Sequence, residues 1–282
     1  SACSQEIARS APKPIFEREA ISVTQLERID AILQSEVDEG VRAGFVAAVM
    51  TREGVAYKKA FGKADPDNDV PMTTDSRFRM ASMTKPIVSA AVMQLVDRGV
   101  IRLNDPVSRF IPAYANPKVI VDQNRKEDGA FETRPAAREI TIHDLLTHMS
   151  GIGYVFANGS DLDNAYLDAN LLVTEGTLED RINIIAALPL YNDPGKVWSY
   201  SFSTDVLGRV VEAASGASLE DYLTENIFTP LGMSNTEFFI DESDFEGLAT
   251  VVEFNEAGEM VRSAAAALSS AVNDHAFGVA SG

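Results

Sequence analysis

The chain has 282 residues, of which 45% are hydrophobic and 23% are charged, a balance that is ordinary for a globular protein. This length allows one large domain or two smaller ones, each with ample core. The formal net charge is −18, and so acidic a surface disfavours nucleic acid and anionic lipid as partners. No uninterrupted run of about 18 apolar residues is present, so no membrane-spanning segment is expected among these residues.

The single cysteine, Cys3, leaves no disulfide and no cysteine metal site within the chain. The opening Ser1–Cys3 is similar to the end of a bacterial lipoprotein signal, in which cleavage precedes a cysteine. This pattern predicts a periplasmic or lipoprotein-anchored protein, whereas a chance match at a processed or cloned terminus would leave the protein cytoplasmic. Residues 5–20 contain Pro12 and Pro14 and are predicted to form a flexible lead-in.

The chain then predicts a helix followed by a β-hairpin. Residues 24–40 begin with a capping box, continue with apolar residues at helical spacing and end at a glycine. Residues 45–50 predict a buried strand, and a turn at 52–54 joins it to a second strand at 55–61. A helix followed by a hairpin indicates an antiparallel sheet covered by helices, not a βαβ repeat.

A longer apolar helix is predicted after Ser82 and ends at Gly99. Pro86 lacks a backbone N–H and fits only the first turn of a helix. The helix must therefore begin close to Ser82, which places this serine at the helix N-terminus.

Capping residues predict three more helices. These are a short helix after Thr141 with Asp144, a helix at 204–214 capped by Ser203, and a helix capped by Ser218 that ends at Pro230. Between these helices and the first long one, residues 112–139 are polar and contain prolines, and they predict a long surface excursion. Residues 249–254 and 258–262 are predicted to form a second hairpin.

The order of strands, helices and strands implies an α+β protein, with an antiparallel sheet flanked by helices and a mostly helical insertion. The predicted division has a lead-in at 1–20, the first part of an α/β domain at 21–80, a helical domain at 81–240, and a partial return to the α/β domain at 241–282.

The segment Ser82-Met83-Thr84-Lys85 carries the main chemical signal. Its spacing places a hydroxyl and an amine on one helical face, about one turn apart, where the helix N-terminus adds partial positive charge. Such a serine can become a nucleophile if a base takes its proton. A capping serine followed by a solvated lysine has the same spacing, so the pattern gains weight only from its surroundings.

Tyr200 lies in a loop just before a predicted helix. A loop tyrosine usually serves packing, but a phenol close to an ammonium group is shifted toward phenolate. Beside the serine motif, Lys85 and Tyr200 could share one proton and act together as the base for Ser82.

Other hydrolytic and nucleotide-binding motifs are absent, including G-x-S-x-G, a Walker loop and H-E-x-x-H. His143 and His148 are five positions apart, about 140° around a helix, and would not share a metal ion. Both are interpreted as helix-end or core histidines. A Ser-His-Asp triad would need one of these or His275, and none has a supporting context.

Four segments appear in the order found in class C β-lactamases and, more closely, in family VIII carboxylesterases, which belong to the serine β-lactamase-like superfamily. The segments are Arg79–Pro86, Asp144–Gly151, Trp198–Ser201 with Asp205–Gly208, and Pro230–Met233. The resemblance covers roughly residues 20–260 and is specific as a set. It implies that Ser82 is acylated, that Lys85 and Tyr200 activate it, and that water releases the acid, with no metal or organic cofactor.

Two features depart from the family pattern. The β-lactamases have an asparagine where this chain has Phe202, which suits an esterase better than an enzyme that recognises an amide. No Lys-Thr-Gly, His-x-Gly or Trp-x-Gly triplet follows Tyr200. The C-terminal strands that would supply the second oxyanion N–H, beside that of Ser82, are therefore expected to be absent. An uncovered sheet edge would then favour weak turnover and self-association.

These observations predict a serine hydrolase that cleaves short-chain carboxylic esters through an acyl-enzyme on Ser82, with a small-molecule ester as its partner. One alternative is a β-lactamase or D-alanyl-D-alanine peptidase that uses the same residues. The other is a non-catalytic homologue that keeps the fold to bind cell-wall peptide or a partner.

Overall fold

The computed structural model describes residues 23–52, 54–155, 159–169, 171, 176–238, 247–263 and 279–281. The chain divides into two compact units, Ser1–Thr74 and Asp75–Gly282. The predicted lead-in, the Ser1–Cys3 signal, position 53 of the first turn and His275 lie outside the described residues.

The first unit contains one helix and a three-stranded antiparallel sheet in the order β1-β2-β3. These elements are α1 (Val23–Asp38), β1 (Gly44–Thr51), β2 (Gly54–Asp65) and β3 (Val70–Pro71). The predicted helix and hairpin are thus confirmed. A carboxylate fastens α1 to β2, because Asp30 accepts hydrogen bonds from the Tyr57 hydroxyl at 2.6 Å and the Lys59 amine at 2.5 Å. Strand β1 pairs on one side only within this sheet, so the proposed self-association through an open edge remains a prediction.

The second unit is mainly helical. Its described helices are α2 (Thr84–Asp97), α3 (Ile142–Leu146), α4 (Asp161–Asp168), α5 (Leu178–Ala187), α6 (Ser203–Ser215), α7 (Leu219–Leu223) and α8 (Thr229–Leu231). Among the residues that the structure describes, no helix is long and apolar enough to cross a membrane.

Small antiparallel sheets accompany these helices. The strands are β4 (Arg77–Arg79), β5 (Lys118–Arg125), β6 (Phe131–Pro135), β7 (Thr236–Glu237), β8 (Val252–Phe254), β9 (Met260–Arg262) and β10 (Val279–Ser281). Strand β10 pairs with both β4 and β7, while β5 pairs with β6 and β8 with β9. The β8–β9 pair confirms the predicted second hairpin.

Helix α6 lies at the centre of the core of this unit. Its apolar face is fully buried and belongs to the same cluster as the buried face of α2 and the inner residues of α3 and α5. The large apolar side chains buried on α6 are Val206, Leu207, Val210 and Val211. Each such side chain contributes about 1.5–3 kcal/mol through the area that it removes from water. This core fixes the first turns of α2 and α6. Lys85 lies in the first turn of α2, and Ser82 and Tyr200 lie just before α2 and α6, respectively.

The predicted surface excursion at 112–139 is largely exposed, but the prediction did not include its regular structure. These residues form a short helical turn at Pro112–Tyr114 and then the β5–β6 hairpin. Only the beginning of the hairpin is buried, at Val119 and Ile120, and the remaining residues of β5 are exposed. Because so few inward residues alternate with so many polar ones, the period of a strand is hard to recognise in the sequence.

Two predicted helix boundaries also need correction. Ser203 does not cap α6 but is its first residue, and its hydroxyl instead bonds to other serine hydroxyls. The helix capped by Ser218 does not end at Pro230, because a π-helical turn at Thr224–Phe228 leads into α8. Pro230 lies at the start of α8, where its missing N–H is tolerated.

Asp144 links a helix cap to an ion pair. Thr141 and Asp144 form the predicted capping box at the start of α3, and the Arg138 guanidinium donates two hydrogen bonds to the same carboxylate, at 2.5 and 2.8 Å. Burial raises the pKa of Asp144, but the hydrogen bonds from Arg138 and Thr141 outweigh this effect and the net pKa is lowered.

Replacement of this carboxylate tests its contribution to stability. We expect Asp144→Ala to reduce the free energy of unfolding by about 2 kcal/mol, because α3 loses its cap and Arg138 its partner. Asp180→Ala, which removes an exposed capping carboxylate from α5 without an arginine pair, should cost less. Urea unfolding measures both. A carboxyl group with a lowered pKa stabilises the fold only while it is ionised. The difference in unfolding free energy between the unmodified protein and Asp144→Ala should therefore narrow as the pH falls through the pKa of Asp144. Equal losses in the two variants would contradict a special role for Asp144.

Candidate active site

The predicted nucleophile lies where a strained backbone turn enters α2. Ala81 has a φ of 44°, which is unfavourable for a residue with a side chain, and residues Ala81–Met83 form a 3-10 turn that runs directly into α2. Ser82 is therefore at the start of the helical segment, as predicted, and it is exposed. Backbone strain of this kind is often found at functional positions.

The structure brings Ser82, Lys85 and Tyr200 together. The Ser82 Oγ and the Tyr200 hydroxyl are 2.6 Å apart, although 118 positions separate them in the chain. The Lys85 amine is 3.5 Å from the Ser82 Oγ and 4.9 Å from the centre of the Tyr200 ring. A hydroxyl, a phenol and an ammonium thus share one small volume.

The charge of Lys85 changes the acidity of Tyr200. Partial burial raises the pKa of the Tyr200 phenol, and the charge of Asp205 raises it further. Hydrogen bonds with Lys85 and Ser82 and the positive charge of Lys85 outweigh both effects, so the net pKa is lowered. A phenol that ionises more readily is better suited to accept a proton from a neighbouring hydroxyl.

A pairing of two loop segments carries Tyr200 to Ser82. Tyr191 donates its backbone N–H to Gly151 O at 2.8 Å, and Ser199 donates its own to His148 O at 2.9 Å. Gly151 has a φ of 83°, and a Cβ at this position would lie 2.1 Å from the carbonyl oxygen of Asn192. Only glycine permits this approach, which explains the glycine at the end of the Asp144–Gly151 motif.

His148 lies just after the end of α3, in agreement with its interpretation as a helix-end histidine, and it is also close to the cluster, which that interpretation did not include. Its ring stacks on Tyr200 with centroids 5.2 Å apart, and it contacts Trp198 edge to face. Burial and the charge of Lys85 both lower the pKa of His148, so the ring is neutral at pH 7. Its position in the Asp144–Gly151 motif was the only sequence signal for this placement. His143 is exposed on α3, as expected of a helix-end residue.

A chain of buried hydroxyl groups supports His148. Its Nδ1 is 3.2 Å from the Ser201 Oγ, which is 2.7 Å from the Ser203 Oγ, which in turn is 2.8 Å from the Ser150 Oγ. These three serines are fully buried, in contrast to the exposed Ser82. Their hydroxyls are therefore inaccessible to a substrate, and their role is to hold the Tyr200 segment against residues 148–152.

Two aromatic rings complete the surroundings of Tyr200. Tyr154 contacts its ring edge to face at 5.1 Å, and Phe202 packs on Tyr154 at 4.5 Å. Burial raises the pKa of Tyr154 to about 12, so this second phenol remains protonated. Phe202, at the place of the asparagine in β-lactamases, is only 2% exposed and presents no polar group to a substrate.

Asp205 also lies close to this cluster. In the sequence it was identified only as part of the Asp205–Gly208 motif and was given no role. It lies on the first turn of α6 and shares a cavity with Lys85 and Ala81. Burial raises its pKa to about 6, against the opposing charges of Lys85 and Arg181. No group of three metal-ligating side chains occurs among the described residues.

Helices packed with small antiparallel sheets, and a serine at a helix start beside a lysine and a tyrosine, define the class of the β-lactamase and transpeptidase-like proteins. The sequence profile of the Beta-lactamase family matches residues 29–279, and the chain belongs to that family.

Two curated relatives and one solved structure illustrate the relationship. Protein Rv1367c of Mycobacterium tuberculosis is 36% identical over 231 residues, which cover 82% of this chain and 56% of that protein. Esterase EstB of Burkholderia gladioli is 35% identical over 239 residues, which cover 84% of this chain and 57% of EstB. The structure of simvastatin synthase (LovD) from Aspergillus terreus matches with a TM-score of 0.76 and 26% identity, over 91% of this chain and 65% of LovD. The chain spans a little over half the length of the curated relatives it matches.

The influence of Lys85 on Tyr200 can be measured without any substrate. We expect Lys85→Met to raise the pKa of Tyr200, because the partial burial of the phenol would no longer be opposed by the ammonium group. The ultraviolet signal of ionised tyrosine, with Tyr200→Phe for subtraction, reports this titration. Lys126→Met, an exposed change on the β5–β6 hairpin, is the matched control. An unchanged Tyr200 midpoint in Lys85→Met would show that the lysine does not act on the phenol.

Proposed function

We propose that this protein is a serine hydrolase that cleaves short-chain carboxylic esters through an acyl-enzyme on Ser82. The observation that carries the proposal is the 2.6 Å contact between the Ser82 Oγ and the Tyr200 hydroxyl, next to the ammonium of Lys85. An exposed hydroxyl at a helix start with an acidified phenol in contact is the arrangement that a nucleophile and its base require.

The proposed reaction begins when the Tyr200 phenolate takes the proton of Ser82 as its Oγ attacks the carbonyl carbon of the ester. The negative charge that develops on the carbonyl oxygen faces the backbone N–H of Ser82 at the start of the helical segment. The C–O bond to the alcohol then breaks, and the phenol of Tyr200 returns the proton to the leaving alkoxide. In the second half, water loses a proton to the Tyr200 phenolate as it attacks the acyl carbon. The bond between the acyl group and the Ser82 Oγ then breaks, and the phenol of Tyr200 returns the proton to that Oγ, which releases the acid and restores Ser82 and the phenolate.

Lys85 is assigned an electrostatic role in this scheme. Its ammonium favours the phenolate of Tyr200 and donates toward the Ser82 Oγ, so it stabilises negative charge on either oxygen during transfer. Because the amine itself need not lose a proton, a single proton moves between Ser82 and Tyr200.

Two observations favour an ester over an amide. Phe202 is buried where the β-lactamases have an asparagine, so this chain offers no side-chain amide there to hold an amide substrate. A relative with 35% identity carries the name Esterase EstB. A β-lactamase or D-alanyl-D-alanine peptidase would use the same three residues, and a non-catalytic homologue would keep the fold without turnover.

Covalent labelling tests the nucleophile. A fluorophosphonate probe should form one adduct, on the peptide that contains Ser82, and Ser82→Ala should abolish it. Ser201→Ala, which changes a fully buried hydroxyl, is the control and should still be labelled at Ser82 if it folds. An adduct on Ser150 or Ser201 would overturn the assignment, and no adduct at all would favour the binding homologue. Parallel turnover of nitrophenyl butyrate and a chromogenic cephalosporin then separates esterase from lactamase.

A double mutant tests the shared proton. Lys85→Ala and Tyr200→Phe should each reduce kcat/KM for the butyrate ester by about 10³-fold or more, because Tyr200 carries the proton of Ser82 and Lys85 acts through the phenolate that accepts it. The double variant should be little worse than either single variant. Losses that multiply in the double variant would mean that the two residues act independently.

A further inference from the structure

Arg181 is a buried cation with donors that lack hydrogen bonds. It lies on α5 and is 4% exposed, and its Nε and Nη2 make no hydrogen bond within the described part of the chain. A buried guanidinium without compensation is costly, so a negative charge close by is needed to offset it. Burial accordingly lowers the pKa of Arg181, and the charge of Asp205 opposes that change.

Asp205 is the carboxyl group that faces Arg181. The two side chains line one small cavity whose other walls are apolar. Those walls are Leu171, Leu178, Ile182, Ile185 and Phe202. Among the described residues that line this cavity, Asp205 is the only anionic group that can balance Arg181.

The same carboxyl group also faces the reactive cluster. A second cavity, which shares Asp205 and Leu178 with the first, is lined by Lys85 and by Thr84 beside it. Asp205 therefore lies between two cations, Arg181 on α5 and Lys85 on α2. It retains partial exposure, yet enough protein surrounds the carboxyl group to make its charged form unfavourable without those cations.

We propose that Asp205 is a positioning residue for the cluster of Ser82, Lys85 and Tyr200, and that its carboxylate is the shared counter-charge that holds the ammonium of Lys85 in place against Arg181. This inference deepens the proposed hydrolase function and rests on it for any effect on turnover. Its electrostatic part concerns the chain itself and can be measured without a substrate.

The groups that face Asp205 determine how its charge acts. Besides the two cations, these are the phenols of Tyr200, Tyr154 and Tyr114, and the charge of Asp205 raises the pKa of each phenol. The pKa of Asp205 is about 6, so the carboxyl group is neutral below that pH and anionic above it. Above pH 6 the carboxylate therefore anchors Lys85 and restrains ionisation of Tyr200, and below pH 6 both effects fade.

Removing the charge of Asp205 and removing the charge of Arg181 should shift two different titrations in opposite directions. Asp205→Asn removes the negative charge, so Tyr200 should ionise at a lower pH than in the unmodified protein. Arg181→Met removes a cation that lowers the pKa of Asp205, so the carboxyl group should titrate at a higher pH. Arg181→Lys and Asp205→Glu keep the charges and should retain most of the original behaviour.

The test follows Tyr200 by the ¹³C resonance of its ring carbon next to oxygen, in tyrosine-labelled protein, with Tyr200→Phe to assign the signal. The midpoint should move to lower pH in Asp205→Asn and stay close to the original in Asp205→Glu. Asp221→Asn, at an exposed cap of α7, is the matched control and should leave the midpoint unchanged. An unchanged midpoint in a folded Asp205→Asn variant would overturn the proposal. If that variant does not fold, Arg181→Met is compared with Arg181→Lys. Only Arg181→Met should move the step of the Tyr200 titration curve that reports ionisation of Asp205, and it should move that step to higher pH.

Turnover of the butyrate ester separates this proposal from the hydrolase function. In Asp205→Asn, kcat should fall on the order of 10- to 100-fold with little change in KM, because the ammonium of Lys85, no longer held by the carboxylate, moves away from the Ser82 Oγ while it stays beside the phenol of Tyr200 and the substrate surface remains. The acid limb of the kcat/KM profile should move to lower pH. If the unmodified chain turns over no ester but the Tyr200 midpoint still shifts, the proposed function fails and the electrostatic role of Asp205 stands. If turnover is present and neither the midpoint nor the acid limb moves, the role of Asp205 is wrong and the function stands.

Discussion

The close approach of two backbone segments at Gly151 is the constraint on which the candidate site depends. The carbonyl oxygen of Asn192 occupies the space that any side chain at position 151 would need. Because that space is open, the segment at 191–199 runs beside residues 148–151 and delivers the next residue, Tyr200, to Ser82. Gly151 contacts neither side chain, yet it thus decides whether Ser82 and Tyr200 meet at all.

The chemistry of the cluster follows from a balance of few charges. Lys85 lowers the pKa of Tyr200 and Asp205 raises it. Burial favours the neutral forms of both Tyr200 and Asp205. In a partly desolvated site such opposing interactions are strong, so small displacements change the acidity of the phenol considerably. His148 adds a stacked ring to Tyr200 without adding charge, because burial keeps it neutral.

Local rules in the sequence predicted the position of Ser82 well, since the spacing of Ser82 and Lys85 and a proline in the first turn define a helix start by short-range sterics alone. The selection of Tyr200 as a site residue depended on the order of several motifs, because no local pattern distinguishes a reactive loop tyrosine from a packed one. The stacking of His148 on Tyr200 was not predicted for the same reason: it depends on a distant segment that folds back. At 112–139 only a few buried residues determine the hairpin, and exposed polar residues mask the strand period.

The strained conformation of Ala81, immediately before Ser82, has a consequence for how this chain can evolve. A side chain at a φ of 44° costs of order 1–3 kcal/mol that the rest of the fold must supply. A substitution that relaxes this turn would add stability and also redirect the hydroxyl that follows it. Selection for a more stable fold and selection for the present orientation of the Ser82 hydroxyl would therefore act in opposite directions at one residue.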